Sequence, residues 1–149
     1  MRDVYIVQSV RTPGCKQKKG LFNQTRPEEL ISFIMKSAVE RTKNLEPEHL
    51  DDVMVGCAFP EAEQGLNIGR VASQMAGFPD KVSGATVNRF CASGLEAIAL
   101  ASMRVQMGWS DVTIGAGLES MSFVPMTGLN HRPHPEFSRT NPEMFISMG

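Results

Sequence analysis

This chain has few cysteines, few aromatic residues and almost no net charge. Its 149 residues include three cysteines, one tryptophan and one tyrosine, and 15 basic against 16 acidic side chains leave a net charge of −1. An odd number of widely spaced cysteines excludes a disulfide framework and a zinc site built on C-x-x-C knuckles. A nearly neutral chain has no overall field that attracts nucleic acid or an anionic membrane, so we expect neither partner.

Long apolar runs are lacking too, and no uncharged stretch is apolar enough to span a bilayer. Asp3 directly precedes the apolar run Val4–Val7, so a basic-then-apolar leader is missing and we expect a mature N-terminus. Free thiols in such a chain predict a cytoplasmic location. The 42% of hydrophobic residues is enough for the core of one domain of ordinary size.

Hydrophobic patterning predicts alternating strands and helices. Runs rich in β-branched residues predict four strands, at Asp3–Val10, Asp52–Phe59, Ala85–Phe90 and Val112–Gly117. Three helices are predicted between them. The order β, α, β, α, β, α, β predicts an α/β fold, with a mixed, mostly parallel sheet flanked by helices.

Each of the three helices has its own pattern. Thr25 and Glu28 form a predicted capping box at the start of the first helix, whose apolar face carries Ile31, Ile34, Met35 and Ala38. The second is predicted at Asn67–Ala76, before Gly77. The third, Ala92–Met107, is apolar on nearly every side, so we expect it to be buried on more than one face.

The pattern changes after Ser122, where prolines and glycines interrupt the chain and no helix or strand period is convincing. We therefore divide the chain into an α/β domain at residues 1–122, which we expect to be incomplete, and the start of an irregular loop domain at residues 123–149.

Cofactor and metal motifs are incomplete. The segment Gly115–Gly117 lacks the third glycine of a dinucleotide fingerprint, and the stretch Gly14–Gly20 lacks the Lys-Ser/Thr of a phosphate-binding loop. His131 and His134 have the spacing of a ligand pair, but a third ligand is missing nearby, so loop histidines are the better interpretation. We expect no bound cofactor and no metal.

Cys91 is the cysteine whose position suggests chemistry. It stands between a predicted strand and a predicted helix, where the helix dipole and unpaired N–H groups favour a thiolate. Ala92, Ser93 and Gly94 are small, which leaves room for an acyl group. The alternative is a buried small hydrophobe, the usual fate of a free cysteine. Cys15 lies in a basic loop without a pocket pattern, and Cys57 is expected in the core.

Several segments resemble the thiolase family in the correct order along the chain. The segment Val87–Ile98 resembles the nucleophile segment, and Gly115–Ser122 resembles the G-G-x-E-S-M-S segment with Ala116 in place of a glycine. Further matches are Gln64–Arg70, Arg11-Thr12-Pro13 and the terminal Ser147-Met148-Gly149.

The resemblance implies a thiolase-like fold and ping-pong acyl transfer with Cys91 as the nucleophile. CoA and 3-ketoacyl-CoA are the implied substrates, acetyl-CoA is the implied product, and Met148 is a candidate acyl-pocket residue. Arg89 and Phe90 before the cysteine resemble degradative thiolases, those of fatty acid β-oxidation, more than biosynthetic ones. A homodimer or homotetramer of the full-length protein is implied as well.

The chain also departs from the family pattern. Thiolases are about two to three times longer, and their catalytic Asn, G-H-P and C-x-G motifs are absent from these 149 residues. The resemblance therefore implies the N-terminal half of a thiolase, inactive by itself.

Three other functions stay open on the sequence. A condensing enzyme related to β-ketoacyl synthases shares the fold and the cysteine nucleophile, although the Glu-Ser-Met-Ser segment favours a thiolase. A non-catalytic dimerisation module is the second alternative, and a cysteine hydrolase with His131 or His134 as its base is the third.

Overall fold

Three parallel strands form the centre of the computed structural model, which describes residues 1–145. They are β1 (Asp52–Gly56), β2 (Ser83–Val87) and β3 (Thr113–Gly117), in the order β2-β1-β3. Asp52 of β1 lies opposite Ser83 on one side and Thr113 on the other. Parallel neighbours need crossover connections, which helices provide here. The predicted α/β class with a parallel sheet is confirmed.

Helices cover both faces of this sheet. The helices are α1 (Pro27–Glu40), α2 (Ile68–Met75), α3 (Ser93–Gln106) and the short α4 (Pro135–Thr140). Side chains alternate along β1, so Val53 and Val55 pack with α1 and α2 in the larger core, whereas Met54 packs with Ala97 and Ala101 of α3 on the other face. Short 3₁₀ turns lie at Pro47–His49, Ala62–Gln64 and Pro142–Phe145.

Glycines let α3 lie directly against the sheet. A β-carbon at Gly56 of β1 would overlap the backbone of Ser93 and Gly94, and one at Gly115 of β3 would come within 2.6 Å of the Ile98 Cα. Backbone therefore packs on backbone where α3 begins, and this contact fixes the position of the turn that precedes the helix.

The predicted first strand is wrong for the described residues. The segment Asp3–Val10 has no regular secondary structure, and Tyr5, Ile6 and Val7 are exposed. A cavity of about 730 Å³ separates this segment from β3 and the neighbouring helices. A β-branched run becomes a strand only when a neighbouring strand pairs with it, and within residues 1–145 no backbone hydrogen bond joins this segment to β3.

The start of α1 also differs from the prediction. The N-cap is Arg26, without a side-chain cap, and Pro27 is the first helical residue. Proline disfavours helical backbone at the residue before it, so the helix begins later than a capping box at Thr25 requires. Glu28 accepts a hydrogen bond from Arg26 Nε instead, at 2.5 Å.

The interpretation of α3 as buried on more than one face is wrong within residues 1–145. The helix buries Ser93, Ala97 and Ala101 against the sheet, whereas Leu95 and Met103 are exposed. The sheet covers one side of α3, and the opposite apolar side faces solvent in the described part of the chain.

The region after Ser122 is largely irregular, as its composition predicts, although α4 was not predicted. Val124 is buried, so the beginning of this region packs against the rest of the protein. Across residues 1–145, no helix has both the length and the apolar character needed to cross a membrane.

Candidate active site

Three loops meet where the parallel strands end, and they surround a cavity of about 330 Å³. One loop follows β1 and carries Ala58 and Phe59, the second follows β2 and carries Phe90 and Cys91, and the third follows β3 and carries Glu119. Parallel strands end at one edge of their sheet, so their loops share a crevice suited to a ligand. Most of the lining is apolar, and Met121 and Met126 contribute to it.

Cys91 lies in this cavity wall, two residues before the first residue of α3. Its side chain is exposed, so the interpretation as a buried small hydrophobe is wrong for Cys91. Ser93 N donates to Phe90 O at 3.0 Å, and Glu96 N donates to Ala92 O at 3.0 Å. Within the described residues the N–H groups of Gly94 and Leu95 donate to no acceptor, as is usual in a first helical turn. These unpaired donors and the helix dipole favour negative charge close to Cys91.

Cys57 is buried, in contrast to Cys91. Only 1% of the residue is exposed. Burial raises the pKa of the Cys57 thiol to about 12, and the charge of Glu119 adds to this effect. The thiol therefore stays protonated at neutral pH. The burial of Cys57 confirms the prediction that it belongs to the core. Cys15 is exposed in the basic loop near the N-terminus.

We expect iodoacetamide to label Cys91 faster than Cys57 in the folded chain, because one thiol is accessible and the other is buried and protonated. Cys15 can compete because it is exposed. Peptide mapping by mass spectrometry at about pH 8 checks this, and urea-unfolded chain is the control, where the three cysteines should react alike. Preferential labelling of Cys57 in the native chain would contradict the assignment.

Polar side chains that the sequence did not single out tie the three loops together. Glu119 Oε2 accepts from Ala58 N at 2.7 Å, and Glu119 Oε1 accepts from Gln64 Nε2 at 2.7 Å. Asn88 Nδ2 donates to Ala58 O at 2.9 Å. Gln64 and Glu119 stand in the segments that resemble thiolases, but nothing in the sequence shows that residues so far apart meet. Asn88 had a local signal, since an asparagine after a strand often accepts from the N–H two residues on.

The remaining candidate residues lie away from this cavity or outside the described part. Neither His131 nor His134 lines the cavity, and the His134 ring contacts Phe137 with centroids 5.1 Å apart. This arrangement gives no support to a hydrolase that uses either histidine as its base. No group of three or more His, Cys, Asp or Glu in residues 1–145 has a metal-binding arrangement. Met148 lies outside the described residues.

The candidate site is thus an exposed cysteine beside the start of α3, at the edge of the sheet where the three parallel strands end. The family described as "Thiolase, N-terminal domain" matches residues 4–145. The chain belongs to the thiolase family, which favours the thiolase interpretation over the condensing-enzyme alternative.

Relatives agree with this membership. The chain is 43% identical over 149 residues to a 3-ketoacyl-CoA thiolase of Bacillus subtilis (strain 168), covering 100% of this chain and 38% of that protein. It is 41% identical over 140 residues to the peroxisomal 3-ketoacyl-CoA thiolase 5 of Arabidopsis thaliana, covering 94% and 29%. The crystal structure of the Bacillus anthracis acetyl-CoA acetyltransferase matches with a TM-score of 0.73 and 37% identity, over 78% of this chain and 29% of that one. The chain thus spans well under half the length of these relatives.

Proposed function

We propose that this chain is the nucleophile-bearing N-terminal part of a thiolase that moves an acyl group from 3-ketoacyl-CoA to CoA. The observation that carries the proposal is the position of Cys91, which is exposed at the start of α3 in a mostly apolar cavity. The relatives named 3-ketoacyl-CoA thiolase support the substrate class.

The proposed reaction has two half-reactions. The Cys91 thiolate attacks the 3-keto carbon and forms an S–C bond, and the carbonyl electrons move to oxygen as an oxyanion. When the carbonyl re-forms, the bond between C2 and C3 breaks, and its electron pair remains on C2 of the departing acetyl-CoA enolate, which then takes a proton. A second CoA, whose thiol gives its proton to a base, next attacks the acyl-Cys91 carbonyl, and acyl-CoA leaves as the Cys91 thiolate is regenerated. Donors at the start of α3 are suited to stabilising negative charge near the sulfur.

The chain's own residues supply the nucleophile and its surroundings but not the proton transfers. A base for the thiol and an acid for the enolate are proposed to come from the rest of a longer polypeptide. No cofactor takes part in the proposed reaction, since CoA and acyl-CoA are the substrates. We also propose that residues 1–122 are the incomplete α/β domain and that residues 123–149 begin the loop domain.

Assembly and location belong to the same proposal. The exposed apolar side of α3, with Leu95 and Met103, supports a homodimer or homotetramer of the full-length protein. Three free thiols support the proposed cytoplasmic location. The relatives named 3-ketoacyl-CoA thiolase support the proposed degradative role in fatty acid β-oxidation.

The direct test is formation of an acyl-enzyme. Incubating the chain with acetyl-CoA should transfer the acetyl group to Cys91 by thioester exchange, slowly, because the chain lacks the proposed base. Mass spectrometry of the tryptic peptides identifies the acetylated cysteine, and Cys91→Ala is the control that should take up none at that position. Cys15, which is also exposed, is an internal comparison in the same chain. Acetylation of Cys15 without acetylation of Cys91 would contradict the proposal.

A further inference from the structure

The turn before Cys91 has a strained backbone. Phe90 has φ of 45°, in the left-handed region that a bulky side chain rarely adopts. Such a conformation persists only where neighbouring groups hold it. The Phe90 ring contacts Phe59 across the cavity wall, with centroids 6.1 Å apart.

Two polar side chains hold this turn. Ser93 Oγ accepts from Arg89 N at 2.9 Å and donates to Phe90 O at 2.6 Å. Asn88 Oδ1 accepts from Phe90 N at 2.9 Å. Ser93 belongs to α3 itself, whereas Asn88 connects the turn to the loop after β1.

A continuous line of hydrogen bonds runs from Asn88 to the loop after β3. Asn88 Nδ2 donates to Ala58 O, and the N–H of the same Ala58 donates to Glu119 Oε2. The second carboxylate oxygen of Glu119 accepts from Gln64 Nε2. Gln64 is fully buried, and its Oε1 accepts from Ser120 N at 2.5 Å. The side chains of Asn88, Gln64 and Glu119 thus join all three loops around the cavity.

A carboxylate at position 119 matches both of the donors that it meets in this line of hydrogen bonds. A carboxylate accepts at both oxygens, and here both face a donor: Ala58 N–H and the Gln64 amide. A glutamine at 119 has one acceptor and an NH₂ group, so one of these two donors would face another donor. The buried Gln64 amide also donates to Phe59 O at 2.9 Å, so its nitrogen keeps one partner when the bond to Glu119 is lost.

We propose that Glu119 and Gln64 are positioning residues for Cys91, acting through Ala58 and Asn88 on the strained turn at Phe90. They hold the turn that carries Cys91 in the cavity wall, although neither residue bonds to Cys91. The consequence for acyl transfer rests on the proposed function, whereas the effect on the thiol does not.

A double-mutant cycle tests the line of hydrogen bonds from Glu119 to Asn88. We expect Glu119→Gln and Asn88→Ala each to slow alkylation of Cys91 by about threefold or more, because the turn that carries the thiol is no longer fixed at the start of α3. The double variant should be no slower than Asn88→Ala alone, since both changes act on one connection. Rates are measured by mass spectrometry against N-acetylcysteine in the same tube, and Glu63→Gln, a nearby change outside the line, should leave the rate unchanged.

Glu119→Asp is the conservative variant. It keeps a carboxylate, shorter by one CH₂ group, that can accept from Ala58 N–H and from the Gln64 amide. We expect it to slow alkylation of Cys91 less than Glu119→Gln does.

Thermal unfolding checks that each variant folds. If Glu119→Gln does not fold, Glu119→Asp and Asn88→Ala decide the test. A Cys91 rate unchanged in folded Asn88→Ala, or slowed at least as far in Glu119→Asp as in Asn88→Ala, would overturn the proposal.

Failure of this inference is distinguishable from failure of the proposed function. If the alkylation rates follow the expected pattern but acetyl-CoA never acylates Cys91, the positioning role of Glu119 and Gln64 is supported and the proposed acyl transfer is contradicted. If Cys91 is acylated equally well in the original chain and in folded Glu119→Gln, the proposed acyl transfer is supported and the positioning role is contradicted. In a polypeptide of full thiolase length, positioning predicts a lower kcat for Glu119→Gln with KM little changed.

Discussion

Cys91→Ala should abolish thiolysis of 3-ketoacyl-CoA in a polypeptide that continues to the full length of the relatives. Removing the nucleophile leaves the substrate bound without a group to form the acyl-enzyme, so we expect a loss of roughly 10⁴-fold or more in kcat. A coupled assay of CoA-dependent cleavage measures the rate. Cys15→Ala is the matched control, because it removes an exposed thiol outside the cavity, and its rate should stay close to that of the original.

The same assay on the 149-residue chain should give no measurable thiolysis. General acid and base groups typically contribute about 10²–10⁴-fold each, and the family motifs that carry them are absent from this sequence. Thiolysis at a normal rate by the short chain would mean that the acid and base lie within it. Turnover that persists in the full-length Cys91→Ala variant would mean that the nucleophile lies elsewhere.

Gly56→Val should destabilise the fold strongly. A β-carbon at this position overlaps the Ser93 carbonyl and the Gly94 nitrogen, which are backbone atoms that cannot rotate away. Either α3 moves off β1 or the strand bends, and we expect a loss of about 3 kcal/mol or more of unfolding free energy. Urea unfolding followed by circular dichroism measures this change.

Gly14→Ala is the matched control for Gly56→Val. A β-carbon at Gly14 meets nothing within 4 Å, so stability should change by no more than about 0.5 kcal/mol. Where the Gly56 variant still folds, its Cys91 should also label at an altered rate, because the start of α3 has shifted. Equal stability of the two variants would refute the close contact between α3 and the sheet.

The elements that the sequence predicts well are those whose signals are local. Apolar runs with β-branched residues indicate β1 and β3, and small residues after β2 indicate the start of α3, so the helix terminus near Cys91 follows from the pattern alone. The strand at Asp3–Val10 was predicted by the same kind of signal. It fails because a strand also depends on a neighbour, and composition does not specify where that neighbour is.

The supporting residues of the site could not be predicted because their partners are distant along the chain. Glu119 and Gln64 are 55 residues apart in sequence, and they meet only because β1 and β3 are adjacent in the sheet. A single sequence does not contain that adjacency. The capping box at Thr25 fails for a more local reason, since Pro27 moves the start of the helix.

The parallel pairing of β1 with both neighbours has a kinetic consequence. Asp52 pairs with Ser83 and with Thr113. The pairing of β1 with β2 therefore closes a loop of roughly 30 residues, and the pairing of β1 with β3 closes one of roughly 60. Chains whose contacts are this distant in sequence fold slowly. Within residues 1–145, no hairpin can serve as an early nucleus for this sheet. During synthesis, the turn that presents Cys91 can form its hydrogen bonds to Asn88 and Ser93 early, but the crevice around it closes only after Glu119 has left the ribosome.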